Sequence, residues 1–182
     1  MSNKIIIGMA ARMTSDKYQN LLIDTVNINK VYFRKKNVTF HLAGDGDMLC
    51  ELKRKVKKDR IHDLIKFQGY LNEEKLISWL RKIKIYIHLS KDETTSTSIL
   101  QAMSMSLPVI ASNIGGNRNF LKYYNRVPNI VLAKNNVDDI FVKIKELIIS
   151  KNRIEQMSKL SRKTILKFYS SINMFNEYEK LF

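Results

Sequence analysis

Apolar residues in this chain fall into short unbroken runs, separated by longer stretches in which they recur at every third or fourth position. The runs are Lys4–Ala10 (KIIIGMA), Val38–Ala43 (VTFHLA), Leu64–Gln68, Ile83–Leu89, Pro108–Ala111 and Asn129–Leu132. Such runs, rich in β-branched residues, read as strands buried on both faces. Helical spacing fills the intervals. It covers Lys17 to about Val31, Asp47–Lys58, Glu73–Lys82 (Leu76, Ile77 and Leu80 on one side), and a helix capped by Thr95 or Ser96. Three more helices are predicted over Val137–Ser150, Arg153–Phe168 and about Ile172 to Leu181. No hairpin signal separates the strands. The alternation predicts an α/β fold, a Rossmann-like doubly wound parallel sheet of about six strands with helices on both faces and right-handed crossovers. With no repeat, low-complexity run or Pro/Gly-rich linker, residues 1–182 read as a single domain, with terminal helices from about residue 152.

In a sheet of this kind ligands bind beyond the carboxyl ends of the strands. Arg12 follows the first strand and Lys17 opens its helix. Gly44-Asp45-Gly46 follows the second strand, Gly69-Tyr70 the third, Ser90 to Glu93 the fourth and Gly115-Gly116 the fifth. These positions gather on one edge, where glycines allow close backbone approach to a ligand. The helix after Ser96 presents unpaired N–H groups and about half a positive charge, which attract phosphate. Glu93 ahead of it and Gln101 eight positions later are placed to hold the hydroxyls of a sugar nucleotide. Asn117 and Arg118 face the same predicted cleft, where Arg118 adds a further phosphate contact.

The stretch Ser90–Gly116 resembles the donor-binding segment of the family 4 (group 1) retaining glycosyltransferases. Their pattern is a Glu, seven residues, a second Glu, Ala-Met, and then Gly-x-Pro-Val-Ile. Here it reads Glu93, seven residues, Gln101, Ala102-Met103, then Ser106-Leu107-Pro108-Val109-Ile110. One branch adds Thr-Ser-x-Ser-x-Leu and Gly-Asn-Arg-Glu, matched by Thr95-Ser96-Thr97-Ser98-Ile99-Leu100 and Gly116-Asn117-Arg118-Asn119. Gln101, Ser106 and Asn119 are the departures. The resemblance implies one half of a GT-B fold, the donor-binding half, which moves a glycosyl group from a UDP- or GDP-sugar with retention. Arg12 and Lys17 match the family's Arg-x4-Lys pair and would hold the diphosphate. Glu93 would contact hydroxyls of the transferred sugar, and Gln101 stands where the family has a ribose-binding Glu. The neutral amide gives up the stronger, charge-assisted bond. Gly44, Gly46, Gly69, Tyr70, Thr97, Ser98, Gly115 and Gly116 complete the implied donor site. No metal or other cofactor is expected, since the two cations neutralise the leaving group. The acceptor-binding half has no counterpart in the resemblance. Three explanations stay open: a partner polypeptide supplies it, the chain is a truncated or degenerate product that serves as a non-catalytic nucleotide-binding or basic interaction module, or it is one domain expressed on its own.

Composition adjusts this picture only slightly. The chain is 45% hydrophobic and 27% charged, with a formal net charge of +15. Such charge fits either an anionic surface or lysines scattered over solvated helix faces. The scatter favours the second, although Lys53-Arg54-Lys55-Val56-Lys57-Lys58 is dense enough to touch anionic lipid. Nucleic-acid binding has no motif or aromatic stripe to support it. Cys50, the lone cysteine, suits a reducing cytosol and reads as a half-buried small hydrophobe. With no apolar run of membrane-spanning length and no leader-like start, the expected location is cytoplasmic, with a peripheral membrane contact as an option. His41, His62 and His88 read as structural, and the eight methionines as core.

Overall fold

The computed structural model describes residues 4–173. Of the helix expected from about Ile172 to Leu181, residues 174–181 lie outside the described residues. Six parallel strands form the sheet: β1 (Ile5–Ala10), β2 (Val38–Ala43), β3 (Ile65–Gly69), β4 (Ile85–His88), β5 (Val109–Ser112) and, numbered in chain order, β8 (Ile130–Ala133). Their order is β3-β2-β1-β4-β5-β8. The chain therefore winds outward from β1 in one direction, returns, and winds outward from β4 in the other. The crevice between β1 and β4 is the topological switch point, where ligands of such sheets bind.

Alternation along each strand sends its side chains to two separate cores. Ile7 and Met9 of β1, with Phe40, Ile85, Ile87 and Ile110, pack beneath α1 (Gln19–Ile28), α2 (Lys30–Lys35), α3 (Leu49–Lys58) and α7 (Val137–Ile148). Tyr86, Val109, Ala111 and Ile130 pack beneath α4 (Glu73–Leu80) and α5 (Thr97–Ser104), joined by Phe120 just after the short α6 (Gly115–Arg118). The long α8 (Lys151–Phe168) serves both, through Ile154 and Met157 on one side and Ile165 on the other. Gly8 faces Trp79 and Ile83 so closely that a Cβ there would lie 2.7–2.9 Å from their carbons. The indole packs on the strand because that position carries no side chain.

Several boundaries differ from the expectation. The first helix does not begin at Lys17. Ser15–Lys17 form a 3-10 turn, and Tyr18 adopts φ 45° before α1 starts at Gln19. Asn29 separates α1 from α2, so Val31 is exposed while Phe33 enters the core. Ile77 is likewise more exposed than its place on the apolar side of α4 implied. A hairpin absent from the sequence reading joins β6 (Tyr123–Tyr124) to β7 (Val127–Pro128). Its turn residues, Asn125 and Arg126, both have positive φ (49° and 67°), the geometry that suits the twist of a hairpin. Cys50 is exposed rather than half-buried, because it lies on the outer side of α3 opposite Leu52 and Val56. No helix among the described residues is long and apolar enough to cross a membrane.

Candidate functional site

At the switch point β1 and β4 pair only through Ile7–Ile85 and Gly8–Tyr86, then separate. Tyr86 bridges the opening. Its buried hydroxyl donates to the Ala10 carbonyl (3.0 Å) and accepts from the Ala10 amide (3.2 Å). Beyond Ala10 the chain turns outward as Ala11-Arg12. The buried Gln19 amide donates to the Arg12 carbonyl (2.8 Å), and the Met13 amide donates to the Asp45 carbonyl (2.8 Å). The corner is thereby fixed from α1 and from the loop after β2, while the Arg12 side chain stays exposed.

Lys17 and Glu93 meet across this opening. Lys17 Nζ lies 2.7 Å from Glu93 Oε1 and 3.2 Å from Asp16 Oδ2. The Lys91 amide donates to the Asp16 carbonyl (2.7 Å), which ties the two loops together. His88, the last residue of β4, places Nε2 2.8 Å from the same Glu93 oxygen and 3.3 Å from Ser96 Oγ. The hydrogen bond from His88, aided by Lys17 and opposed by partial burial, holds the Glu93 carboxyl down at about 2. Burial disfavours the Lys17 ammonium, but Glu93 and Asp16 outweigh it and raise its pKa. The Thr14 hydroxyl keeps the Asp16 carboxyl below its usual value. Each side chain of the central pair is about one-seventh exposed (15% and 14%), so the pair is shielded but reachable.

Ser96 caps α5 by accepting from the Ile99 amide, as the Thr/Ser run implied. Two adjoining cavities open along this rim. One of about 240 Å³ is lined by Arg12, Lys17, His88, Glu93 and residues 95–98, so it is polar and bounded by the start of α5. The other, about 410 Å³, is lined by Ala10, Arg12, Ala43, Gly44, Tyr70, Leu71, Leu76, Ser98 and Gln101 among others, and its walls are mostly apolar. Arg12 and Ser98 border both. The arrangement offers cations and helix amides for an anion beside a flatter apolar pocket with a Tyr lip, Tyr70 being 77% exposed.

The sequence-predicted residues divide accordingly. Arg12, Lys17, Gly44, Tyr70, Glu93, Thr97, Ser98 and Gln101 line the cavities. Gly46 and Gly69 stand behind them; Gly69 (φ 69°) accepts the Gly44 amide at 2.8 Å. A Cβ on Gly44 or Gly46 would collide with the Ala11 or Met13 carbonyl, so those glycines make room for the loop after β1. Gly116 does the same for the backbone of Glu93 and Thr94. Gly115 faces open space. Arg118 lies off the cavities, with Nε donating to Asn113 Oδ1 (2.7 Å), and Asn117 is buried with its amide on the Ser112 carbonyl instead of facing the cleft. His88, assigned a structural role from the sequence, touches Glu93 directly. Gln19 and Tyr86 gave no signal at all, since each acts on backbone.

The model of glycosyl transferases group 1 matches residues 1–164 of the chain. The phosphatidylinositol N-acetylglucosaminyltransferase GPI3 subunit of Saccharomyces cerevisiae is 29% identical over 114 residues, covering 63% of this chain and 25% of that protein. The poly(ribitol-phosphate) alpha-N-acetylglucosaminyltransferase of Staphylococcus aureus is 22% identical over 178 residues, covering 97% of this chain and 35% of its own length. The chain thus spans about a quarter to a third of these relatives. Among solved structures, Anabaena HepE in complex with UDP and glucose superposes with a TM-score of 0.85 at 18% identity, over 98% of this chain and 48% of that one. The last likeness bears on the fold, which is the Rossmann-like sheet of GT-B glycosyltransferases. The chain belongs to the group 1 glycosyltransferases.

Proposed function

We propose that the chain binds a UDP- or GDP-sugar and serves as the donor half of a retaining glycosyltransferase. The observation that carries this reading is the convergence of Arg12, Lys17 and Glu93 at the β1/β4 switch point, beside the N-terminus of α5. The diphosphate lies in the polar cavity, where Arg12 and Lys17 stabilise the charge that develops on the leaving oxygen. They do this without a metal. The base enters the neighbouring apolar cavity under Tyr70, near Leu71 and Leu76, and the ribose reaches Gln101. Glu93, as an acceptor-only carboxylate, takes hydrogen bonds from sugar hydroxyls. That HepE is in complex with UDP and glucose supports the donor class.

Since the match covers under half of these relatives, acceptor binding belongs to regions outside it, on the same or another polypeptide. Residues 4–173 alone transfer no sugar. The site works in the cytoplasm, with the cationic outer side of α3 available to anionic lipid. A second reading, a nucleotide-binding module that has lost turnover, draws on Gln101 in place of the family's carboxylate. Thermal unfolding in excess UDP, GDP and their sugars tests the main reading, because a ligand selective for the folded state raises the melting temperature. Arg12→Ala is expected to abolish most of the rise. No rise with any nucleotide, together with a salt-sensitive rise with DNA, rejects it.

A further inference from the structure

We propose that His88 is the positioning residue for Glu93, and that its Nε2–H keeps the carboxylate aimed at the donor sugar when Lys17 turns to the diphosphate. The inference rests on the donor-binding reading above. Lys17 Nζ and His88 Nε2 both reach Glu93 Oε1, at 2.7 and 2.8 Å. The two donors are not equivalent. Lys17 sits on a 3-10 turn at the end of a flexible four-carbon stem and borders the polar cavity. An entering diphosphate carries more charge than one carboxylate and competes for that ammonium. His88 has no such freedom. It is 2% exposed on β4, its ring lies parallel to Tyr86 (15° between planes, centroids 6.4 Å apart), and Tyr86 is itself anchored on Ala10.

The orientation of the ring follows from its surroundings. Nε2 faces a carboxylate and must carry the proton. Nδ1 is buried with no partner among the described residues. A bare Nδ1 leaves an acceptor unmet there, whereas protonated it would bury an N–H donor, which is costlier. Ser96 Oγ, 3.3 Å away, flanks the same N–H and links it to the cap of α5. The imidazole therefore joins the strand, the helix start and the carboxylate. Because it fills only Oε1, Oε2 is left for hydroxyls of the sugar.

A test compares affinities for UDP, UDP-glucose, UDP-N-acetylglucosamine and the matching GDP series by calorimetry, for wild type, His88→Leu and His88→Gln. The Gln amide nitrogen reaches close to the place of Nε2. Wild type is expected to bind one nucleotide sugar more tightly than its parent nucleotide. His88→Leu is expected to lose about tenfold on that sugar, the size of one bond to a charged group, and to keep its affinity for the nucleotide. His88→Gln is expected to restore most of the loss. If His88→Leu keeps the full preference, or lowers both affinities alike, the positioning role is overturned while the donor-binding reading stands. If wild type shows no sugar preference, the role is overturned as well; if it binds no nucleotide at all, the reading itself fails and takes the role with it. A second measurement needs no ligand. Long-range proton–nitrogen NMR of the His88 ring is expected to show Nε2 protonated and Nδ1 bare, in wild type and in Lys17→Met; a ring protonated at Nδ1 in Lys17→Met overturns the proposal.

Discussion

Lys17 and Glu93, 76 residues apart in the chain, close the rim of the sheet with a 2.7 Å ion pair. The Glu93 carboxyl lies at about 2, below its ordinary 4.5, with the His88 bond as the leading cause. A carboxyl held below its unfolded value contributes stability that is complete above about 4.5 and is lost as pH falls toward 2. Lys17, raised above 10.5, contributes in the opposite direction, losing its share at high pH. Allowing for partial exposure, the acid-side share is on the order of 2 kcal/mol. Urea unfolding of wild type and Glu93→Gln at about pH 6 and about pH 3 measures it. Wild type should lose more stability between the two than the variant by somewhat more than half of that amount, roughly 1 kcal/mol, and equal losses would show the pair to be inconsequential.

Tyr86 and Ala10 give a prediction about the crevice itself. The hydroxyl satisfies both backbone groups of Ala10 on the side where β4 has pulled away. Tyr86→Phe removes it without changing shape and leaves a partly buried N–H and C=O without that partner. The cost should be about 1–3 kcal/mol in chemical denaturation. Amide exchange should also quicken at Ala10 and Ala11, while strands β5 and β8 stay protected.

Gly115 and Gly116 are adjacent, yet they should respond oppositely to the same change. A Cβ on Gly116 runs into the carbonyls of Glu93 and Thr94, whereas one on Gly115 meets open space. Gly116→Ala must push the Glu93 loop outward, and a loss of at least about 1 kcal/mol is expected, as for overpacking in a core. Gly115→Ala, in a helical turn, should be neutral or stabilising by up to about 1 kcal/mol. Melting temperatures of the two variants decide this, and similar values would remove the argument that Gly116 sets the loop.

These pairs show which parts of the molecule were legible in the sequence. Parallel strands buried on both faces are uninterrupted apolar runs, so Ile5–Ala10 and Val38–Ala43 announced themselves, and the pair Thr95-Ser96 announced the helix that Ser96 caps. The rim followed from the topology, because a doubly wound sheet brings its strand ends together. What stayed hidden depends on contacts between distant residues or on unusual backbone. Tyr18, Asn125 and Arg126 have side chains that do not advertise a positive φ, so the late start of α1 and the hairpin were missed. His88 stands in a β-strand run like any half-apolar residue; only the fold of residues 89–93 turns Glu93 back onto it. Gly44, Gly46 and Gly116 were found, and the packing adds a constraint that the sequence did not show. A side chain at any of the three would run into neighbouring backbone.

Gln101 is one of the places where sequence and family part, and its position makes that departure testable. It lies on α5 with its side chain exposed at the larger cavity, near Ser98 and Tyr70. As an amide it accepts from one ribose hydroxyl and donates to another; as a carboxylate it would accept from both with charge assistance. Arg12, which borders the same cavity, offsets the added negative charge. Gln101→Glu should therefore tighten nucleotide binding by about three- to tenfold, corresponding to roughly 1 kcal/mol. It should leave Gln101→Ala as the weakest of the three. Calorimetric titration with the preferred nucleotide ranks them. If Gln101→Glu binds more weakly than wild type, the ribose does not lie along this turn of α5, and the diphosphate alone must account for whatever affinity remains.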